Sequence, residues 1–393
     1  MLVLGIESSC DETAAAVVAD GERILSNVVA SQILTHERFG GVVPELASRE
    51  HLRRIGPVVD EACARAGVAP EQVDALAVTE GPGLIGSLLV GVVYAKALAE
   101  ALAKPVVGVN HLEGHIHAVL LDNKIARAAH PEIDAAEFPN VTLVVSGGHT
   151  VLYRVESNDL TGTTAARFRY TRLGQTRDDA AGEAFDKVAK LLALGYPGGP
   201  VIDRLSVHGN ADAVDFGRIR MKGNPLDFSF SGLKTAVLYR VRGSAMEHEA
   251  EERRRWQNDL RRDGRGAGAD ELRERCSRET LDLIASFQST VVNDLVERTL
   301  AAADAEAVSS VFVSGGVACN SLLRRRAAEA ARAQGFGCFF PSLALATDNA
   351  AMIAAAGFFK LASGERADGT LTAHASFPLG APSDPGGARD RFA

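Results

Sequence analysis

Hydrophobic residues at the start of the chain recur in short runs separated by polar turns. Residues 2–6, 13–19 and 24–30 consist mostly of Val, Ile, Leu and Ala, and none of these runs is long enough for an ordinary helix. Short apolar runs bounded by polar residues are typical of buried β-strands. Three of them in succession predict a β-meander.

Longer apolar segments alternate with further short runs after residue 43. Pro44 stands where a helical pattern begins, and proline is favourable in the first turn of a helix. The alternation of helices and strands predicts an α/β domain. The predicted elements are helices at 44–66 and 83–102, strands at 73–79 and 106–109, and a helix that carries His111 and His115.

The opening pattern recurs in the second half of the chain. Apolar runs at 141–146 and 151–155 flank one Gly-Gly pair, and a run at 308–313 precedes another. This repetition predicts a duplicated α/β fold of two lobes with a ligand cleft between them. The predicted lobes are residues 1–135, joined by a C-terminal helix at about 360–393, and residues 136–359.

Residues 243–275 differ in composition from the rest of the chain. The segment is dense in Arg, Glu and Gly and nearly free of β-branched residues, so it offers little apolar surface for burial. We interpret it as a solvated, partly disordered insertion. Its removal is expected to leave the stability nearly unchanged.

Composition and charge narrow the class of protein. The 393 residues are 46% hydrophobic and 23% charged, as in a soluble globular protein of two lobes. The net charge of −8 excludes a generally basic nucleic-acid coat, although a local basic face is compatible with it. The five cysteines form no C-x-x-C pair, and no export signal or membrane span is evident. We expect a cytoplasmic protein without a membrane partner.

Two histidines are spaced for a shared helical face. His111 and His115 stand four residues apart, which places both imidazoles on one side of a helix, while His117 falls on another side. Asp348 is a candidate third metal ligand, although an aspartate before an alanine-rich segment also suits a helix N-cap. Core or surface histidines without a metal are the alternative. The H-E-x-x-H pattern of metalloproteases is absent from the sequence.

Three polar turns next to apolar runs are candidates for nucleotide contacts. The acidic turn at 7–13 contains Asp11 and Glu12 and suits a phosphate or Mg²⁺–phosphate neighbourhood; an ordinary hairpin turn is the alternative. The two V-S-G-G segments, at 145–148 and 313–316, can offer backbone N–H groups to phosphate. The P-loop and Rossmann fingerprints are absent from the sequence.

A charged run and a glycine–proline turn lie between these segments. Asp186 and Lys187 end the run at 178–187 and could flank a ribose; alternatively, the two side chains pair with a nearby charge or each other. The turn at 196–200, Tyr-Pro-Gly-Gly-Pro, can present backbone groups to a flat ligand. Together these residues predict a nucleotide in the cleft with a candidate metal site beside it.

The motifs together resemble the TsaD family of tRNA N6-adenosine threonylcarbamoyltransferases, formerly described as O-sialoglycoprotein endopeptidases. The resemblance extends over nearly the whole chain in one order, and the length of the 243–275 segment departs from it. The matching stretches are residues 4–13, 40–49, 81–84, 111–115, 145–150, 179–187, 196–199, 228–234, 314–320 and 347–350.

The resemblance implies an actin/hsp70/sugar-kinase (ASKHA) fold and a set of site residues. A divalent metal ion, Fe²⁺ first with Zn²⁺ or Mg²⁺ as alternatives, would be held by His111, His115 and Asp348. Asp11 and Glu12 are associated with catalysis. The ligand, threonylcarbamoyl-AMP or an adenine nucleotide, would contact Val144, Val145, Ser146, Gly147, Gly148, Asp186, Gly199, Asp203 and Asn320. For Asn320, capping of the following helix is the alternative.

The implied reaction is transfer of the threonylcarbamoyl group from threonylcarbamoyl-AMP to the exocyclic amine of the adenine beside the anticodon, with release of AMP. The implied partners are tRNA, a TsaB-like inactive paralogue, a TsaE-like P-loop ATPase and a separate synthase that supplies the donor. A metallopeptidase and a non-enzymatic ATP-binding scaffold are the rival hypotheses, and a sugar kinase is a weaker third.

Overall fold

Two mixed β-sheets organise the chain. The computed structural model describes residues 1–158, 166–219, 221–262 and 265–382. Within these ranges the sheets have five and six strands, and helices cover them. The predicted α/β fold of two lobes is confirmed.

The first sheet has the strand order β3-β2-β1-β4-β5. Alternate residues of β1 point to opposite faces: Val3 packs in one hydrophobic cluster and Leu4 in another. The sheet is therefore buried on both sides. Its strands are β1 (Leu2–Glu7), β2 (Glu12–Ala19), β3 (Arg23–Ser31), β4 (Ala75–Gly81) and β5 (Val106–Asn110), and its helices are α1 (Ile33–His36), α2 (Pro44–Ala66), α3 (Ile85–Leu102) and α4 (His111–Ala129).

The second sheet has the order β10-β9-β6-β7-β8-β11. Its largest hydrophobic cluster lies between the sheet and the helices of the second half of the chain. The strands are β6 (Asn140–Val145), β7 (Thr150–Ser157), β8 (Phe168–Gln175), β9 (Ser310–Ser314), β10 (Gly337–Phe339) and β11 (Ala381–Pro382). The helices that follow are α5 (Ala181–Leu191), α6 (Gly198–Ser206), α7 (Ser231–Val241), α8 (Ala245–Arg262), α9 (Ala269–Glu274), α10 (Arg278–Ala305), α11 (Ser321–Ala333) and α12 (Leu343–Ala346). The last helix, α13 (Ala350–Ala362), packs on the first sheet.

The two sheets share one topology. In the first, β1, β2 and β3 form an antiparallel meander, and β4 and β5 extend it in parallel on the other side of β1. In the second, β6, β7 and β8 form the meander, and β9 and β10 extend it in parallel beyond β6. The duplication predicted from the repeated apolar runs is therefore present in the strand order.

The return of the chain to the first lobe comes earlier than predicted. Helix α13 packs on β1, β2 and β4 of the first sheet, although the predicted boundary kept residues up to 359 in the second lobe. Small residues allow this close packing, since a Cβ added at Gly5 of β1 would lie 2.8 Å from Ala354 N. The predicted helix at about 360–393 is helical only to Ala362, and residues 383–393 lie outside the described residues.

The segment 243–275 was predicted to be partly disordered, and this prediction was wrong. Its described residues form α8 and α9, and residues 263 and 264 lie outside the described part of the chain. Leu260 is buried, and Arg253 is only 1% exposed. Arg253 Nε donates to Leu192 O at 3.0 Å, and its Nη1 donates to Arg275 O at 2.7 Å.

Composition alone did not predict this packing, because an arginine can lie in a core when its guanidinium group donates hydrogen bonds to carbonyl groups. The aliphatic part of the arginine side chain covers apolar surface, while the guanidinium group donates several hydrogen bonds. Gln257, one turn after Arg253, donates likewise to Ala193 O at 3.0 Å. The segment is thus attached to the turn that follows α5. Its deletion is now expected to destabilise the protein, contrary to the sequence-based expectation.

Helix α3 is the one described helix long and apolar enough, by length and composition, to cross a membrane. It packs on β4 and α2, and Leu88, Val92 and Ala95 are buried in the first lobe. This packing agrees with the prediction of a helix belonging to the fold. Such length and composition occur also in helices of ordinary α/β lobes.

Candidate active site

Two histidines lie at the N-terminal end of α4, directly after β5. Asn110 caps this helix, because its Oδ1 accepts a hydrogen bond from Leu112 N at 2.9 Å. The cap starts the helix at His111 and places His115 one turn later on the same side. Their ring centroids are 4.7 Å apart. His117 points elsewhere, toward Tyr170.

Asp348 joins the two histidines from the loop before α13. The N-cap of α13 is Asn349, whose Oδ1 accepts a hydrogen bond from Met352 N at 3.0 Å. Asp348 is therefore not engaged in capping. Its Oδ1 lies 3.2 Å from His115 Nε2 and 3.6 Å from His111 Nε2.

These three side chains fit a metal ion. Nitrogen and oxygen ligands of one ion, each bound at about 2.1 Å, lie roughly 3.0–3.4 Å from one another, and the observed separations from Asp348 are 3.2 and 3.6 Å. His115 is fully buried, and its Nδ1 has no hydrogen-bond partner in the described part of the chain. Two imidazoles and a carboxylate suit Fe²⁺ or Zn²⁺ and leave coordination positions for a substrate.

Electrostatic interactions between His111 and Asp348 favour the ionised forms of both side chains, although both are buried. Burial acts to lower the pKa of His111, but the carboxylates of Glu7 and Asp348 outweigh it and raise the pKa to about 9. Burial lowers the pKa of His115. Burial opposes ionisation of Asp348, yet the two histidines keep its pKa well below the usual range. A desolvated carboxylate of this kind needs a cation beside it.

Glu7, the last residue of β1, is a functional candidate that the sequence reasoning did not assign. Its fully buried carboxylate lies 3.1 Å from His111 Nδ1 and accepts a hydrogen bond from Thr79 Oγ1 at 2.6 Å. A carboxylate behind a metal-ligating histidine fixes the tautomer and orientation of the ring. The available signal was a glutamate at the end of a strand buried on both faces.

Asp11 and Glu12 both line the cleft between the lobes. Glu12 Oε1 accepts a hydrogen bond from Ser31 Oγ at 2.8 Å, whereas its buried Oε2 has no partner among the described residues. Burial, with the nearby charges of Asp11 and Asp348, raises the pKa of Glu12 to about 8. Burial also raises the pKa of Asp11.

The turn between β6 and β7 lies opposite these carboxylates. Ser146, Gly147 and Gly148 line the cleft. A Cβ added at either glycine would meet nothing within 4 Å, and the described residues offer no acceptor for the N–H groups of Gly147 and Gly148. These two N–H groups are therefore available to a ligand. The side chains of Val144 and Val145 are buried in hydrophobic clusters, so only their backbones can serve the site.

Asp186 also lines the cleft. Its Oδ1 accepts a hydrogen bond from Gly198 N at 2.7 Å, and burial raises its pKa to about 6. Lys187 pairs instead with Asp179 and Glu183, at 2.7 and 2.8 Å. The alternative of an Asp186–Lys187 pair is therefore not observed.

Three other predicted contact residues do not line the cleft. Asn320 caps α11 through Leu323 N, the alternative named for it, and its Nδ2 donates to Gln288 Oε1 at 3.1 Å. Asp203 accepts a hydrogen bond from Ser321 N at 3.0 Å. Gly199 lies in the first turn of α6. Their contact with a nucleotide stays a prediction, and the polar groups of Asn320 and Asp203 are already engaged.

Two further side chains reach the cleft without having been assigned. His149 lies with its ring centroid 6.4 Å from that of His111, and burial, followed by the His111 and His115 charges, lowers its pKa to about 4. Tyr196 lines the other side of the cleft, and burial raises its pKa. Both are uncharged near neutral pH. His149 directly follows Gly147 and Gly148 in sequence, which was the signal that could have found it.

The cleft has a volume of about 590 Å³ and receives residues from both lobes. This volume suits a nucleotide-sized ligand. Fold and site together define a two-lobed ASKHA-type protein with a candidate metal site in the wall of its cleft. The crystal structure of full-length HypF, in its phosphate- and nucleotide-bound form, has the same kind of fold: the TM-score is 0.50 at 12% identity, covering 91% of this chain and 46% of that one.

Sequence comparisons identify the family. The TsaD family model, tRNA N6-adenosine threonylcarbamoyltransferase, matches residues 23–355. Proteins of that name from Koribacter versatilis and Geobacter metallireducens are 52% and 48% identical to this chain, covering 96% of it and 99% and 97% of their own lengths. The chain belongs to the tRNA N6-adenosine threonylcarbamoyltransferase family. It is an acyltransferase that modifies tRNA by threonylcarbamoyl transfer to adenosine.

Proposed function

We propose that the cleft holds threonylcarbamoyl-AMP and a divalent metal ion while the threonylcarbamoyl group passes to the exocyclic amine of an adenine in tRNA. The observation that carries this proposal is the convergence of His111, His115 and Asp348, of which His111 and Asp348 line the cleft. The same cleft presents free N–H groups on one side and carboxylates on the other.

The glycine turn is the site proposed for the phosphate of the donor. The unpaired N–H groups of Gly147 and Gly148 can donate to phosphate oxygens. Because a side chain at either position would project into open space, both glycines leave room for a bound group. Asp186, already held by Gly198 N, can accept hydrogen bonds from ribose hydroxyls.

His111, His115 and Asp348 would hold the metal ion, with Fe²⁺ expected and Zn²⁺ or Mg²⁺ as alternatives. When bound there, the ion supplies Lewis acidity that makes a carbonyl carbon more electrophilic. This help matters because the amine of adenine is conjugated with the ring and is a poor nucleophile. Glu7 orients His111 from behind and is a positioning residue.

Glu12 is the proposed proton acceptor. As the amine nitrogen bonds to the carbamoyl carbon, the bond from that carbon to the phosphate oxygen breaks, AMP leaves, and the amine proton passes to the carboxylate of Glu12. This side chain lines the cleft, and a pKa of about 8 suits transfer near neutral pH. Asp11, next to it, raises that pKa by its negative charge.

The metallopeptidase hypothesis is not favoured. Glu113, the glutamate between the two histidines in sequence, is buried away from them, where Tyr170 OH donates to its Oε1 at 3.1 Å and Lys360 Nζ lies 3.9 Å from its Oε2. It is not placed to activate water at the metal. A scaffold without catalysis would not require the trio, and nothing in the cleft favours a sugar kinase.

The protein partners and the compartment complete the proposal. We propose that the TsaB-like paralogue binds an apolar stripe on α3. The stripe is formed by Ile85, Leu89 and Val93, each about half exposed, and exposed apolar patches are typical of protein interfaces. Leu89→Asp should then weaken that complex. A TsaE-like ATPase and a separate synthase of threonylcarbamoyl-AMP are further proposed partners, with all components in the cytoplasm.

The central test is mass analysis of tRNA nucleosides after incubation with threonylcarbamoyl-AMP and the proposed partners. His111→Ala and His115→Ala should each lose bound metal and transfer activity while the chain stays folded, with a lowered thermal unfolding midpoint because Asp348 loses a buried charge partner. His130→Ala, at the exposed end of α4, is the matched control and should retain both. Full activity in a metal-free variant would contradict the metal assignment.

A further inference from the structure

The described lining of the cleft carries five carboxylates and lacks lysine and arginine. An RNA backbone that approaches such a surface is repelled unless cations stand nearby. The lining carboxylates are those of Asp11, Glu12, Glu183, Asp186 and Asp348.

A small cavity of about 70 Å³ adjoins the cleft at Tyr196, which lines both. Arg261 and Arg265 of the 243–275 segment line this cavity, together with one carboxylate, Glu37. Nearby, exposed Lys190 approaches the loop of the first lobe, since a Cβ added at Gly40 would lie 3.5 Å from its Nζ. Two arginines therefore line a cavity next to the cleft, and a lysine lies beside Gly40, the neighbour of the cleft-lining Gly41.

The two arginines are held in place but weakly paired. Helix α8 is anchored below them by the buried Arg253 and Gln257, which donate to carbonyls of the turn after α5. Among the described residues, the one hydrogen bond of the Arg261 guanidinium goes to Asn258 Oδ1, at 3.4 Å. Arg265 Nη2 lies 3.4 Å from Glu271 Oε1, and the side chains of Arg265 and Glu271 are both exposed. Exposed pairs of this length contribute little, so both guanidinium groups can exchange these partners for phosphate.

We propose that Arg261, Arg265 and Lys190 form a phosphate-binding rim that holds the RNA backbone next to the adenine entering the cleft. The inference rests on the proposed function, since it concerns the RNA substrate of the same cleft. Arginine binds phosphate through two parallel hydrogen bonds. The rim contacts the backbone, and the cleft receives the base.

The test measures binding of a fluorescent anticodon stem–loop RNA by the full chain at several salt concentrations. Arg261→Ala combined with Arg265→Ala should weaken binding about tenfold and reduce the slope of log affinity against log salt by about 1.4, since each lost contact to single-stranded phosphate contributes about 0.7. Adding Lys190→Ala should reduce it by about 0.7 more. AMP affinity and metal content should not change.

Arg255→Ala is the matched control, because Arg255 lies on the same helix, is 74% exposed and does not line the cavity. It should bind RNA as the wild type does. Arg261→Lys with Arg265→Lys should restore most of the salt slope. If the double alanine variant has the RNA affinity and the salt slope of the wild type, the phosphate-binding rim is contradicted but the proposed function is not. If the wild-type chain binds no RNA, the proposed function is contradicted as well.

Discussion

The turn between β1 and β2 and the turn between β6 and β7 hold equivalent positions in the two sheets, yet they present opposite chemistry to the cleft. The first turn presents the carboxylates of Asp11 and Glu12, and the second presents the N–H groups of Gly147 and Gly148. In the proposed reaction the first turn supplies the proton acceptor, and the second turn is the proposed site for the phosphate.

The strand register explains the difference. The last paired residues are Glu7 with Ala14 in the first hairpin and Val145 with Thr150 in the second. The stretch left unpaired between β1 and β2 is therefore residues 8–13, in which Glu12 and Thr13 already belong to β2 but pair only with β3. The stretch between β6 and β7 is residues 146–149. A short turn with two glycines exposes backbone, whereas a longer one carries side chains into the cleft. Duplication thus preserved the strands and left the turns free to diverge.

The largest expected effect comes from the acidic turn. Glu12→Gln keeps the shape of the side chain but removes the proton acceptor, so the rate of transfer should fall by roughly 10² to 10⁴. Single-turnover kinetics would measure this, with AMP affinity unchanged. A greater loss in Asp11→Asn than in Glu12→Gln would assign the base to Asp11 instead.

The next effect concerns the residues that end β1 and β6. Glu7 supports His111, whereas its counterpart Val145 is a core residue, so Glu7→Gln should weaken metal binding by about 10- to 100-fold. Competition with a chelator would measure the affinity, and the thermal unfolding midpoint is the control. Unchanged metal affinity would reduce Glu7 to a structural role.

The glycine turn should respond to bulk rather than to charge. Gly148→Leu places a side chain in open space at the cleft, so AMP affinity should fall about tenfold or more while stability stays near that of the wild type. Gly315→Ala is the contrasting variant, because Gly315 has φ +95° and packs on Val145 O. It should lose about 1–3 kcal/mol of stability. Equal stability losses in both variants would contradict the comparison.

The smallest effect is the pH dependence of transfer. Because the pKa of Glu12 is raised to about 8, the base is mostly protonated at pH 7 and ionised at pH 9. The single-turnover rate should rise about tenfold over this interval, with a midpoint near pH 8. Glu12→Gln should show a flat profile. The raised pKa also lowers the folding stability as the pH rises from about 4.5 to about 8. In this range the unfolded chain has lost the Glu12 proton while the folded chain still holds it.

Local patterns determined much of this protein. Apolar runs predicted the strands, repetition predicted the duplicated fold, and the i, i+4 spacing placed His111 and His115 on one side of α4. These features depend on short-range periodicity, which the side-chain direction of helices and strands imposes on any sequence. The helix 44–66 was predicted with the same ends that the structure has.

Only the tertiary structure decided which distant residues meet. Glu7 and His111 are 104 positions apart, and their contact depends on the pairing of β1 with β4 and of β4 with β5. Asp348 approaches the histidines because Asn349, not Asp348, caps α13. Arg253 is buried because carbonyls of the turn after α5 accept its hydrogen bonds, although composition alone favoured solvent. In each case the residues that meet lie far apart along the chain, where local periodicity carries no information.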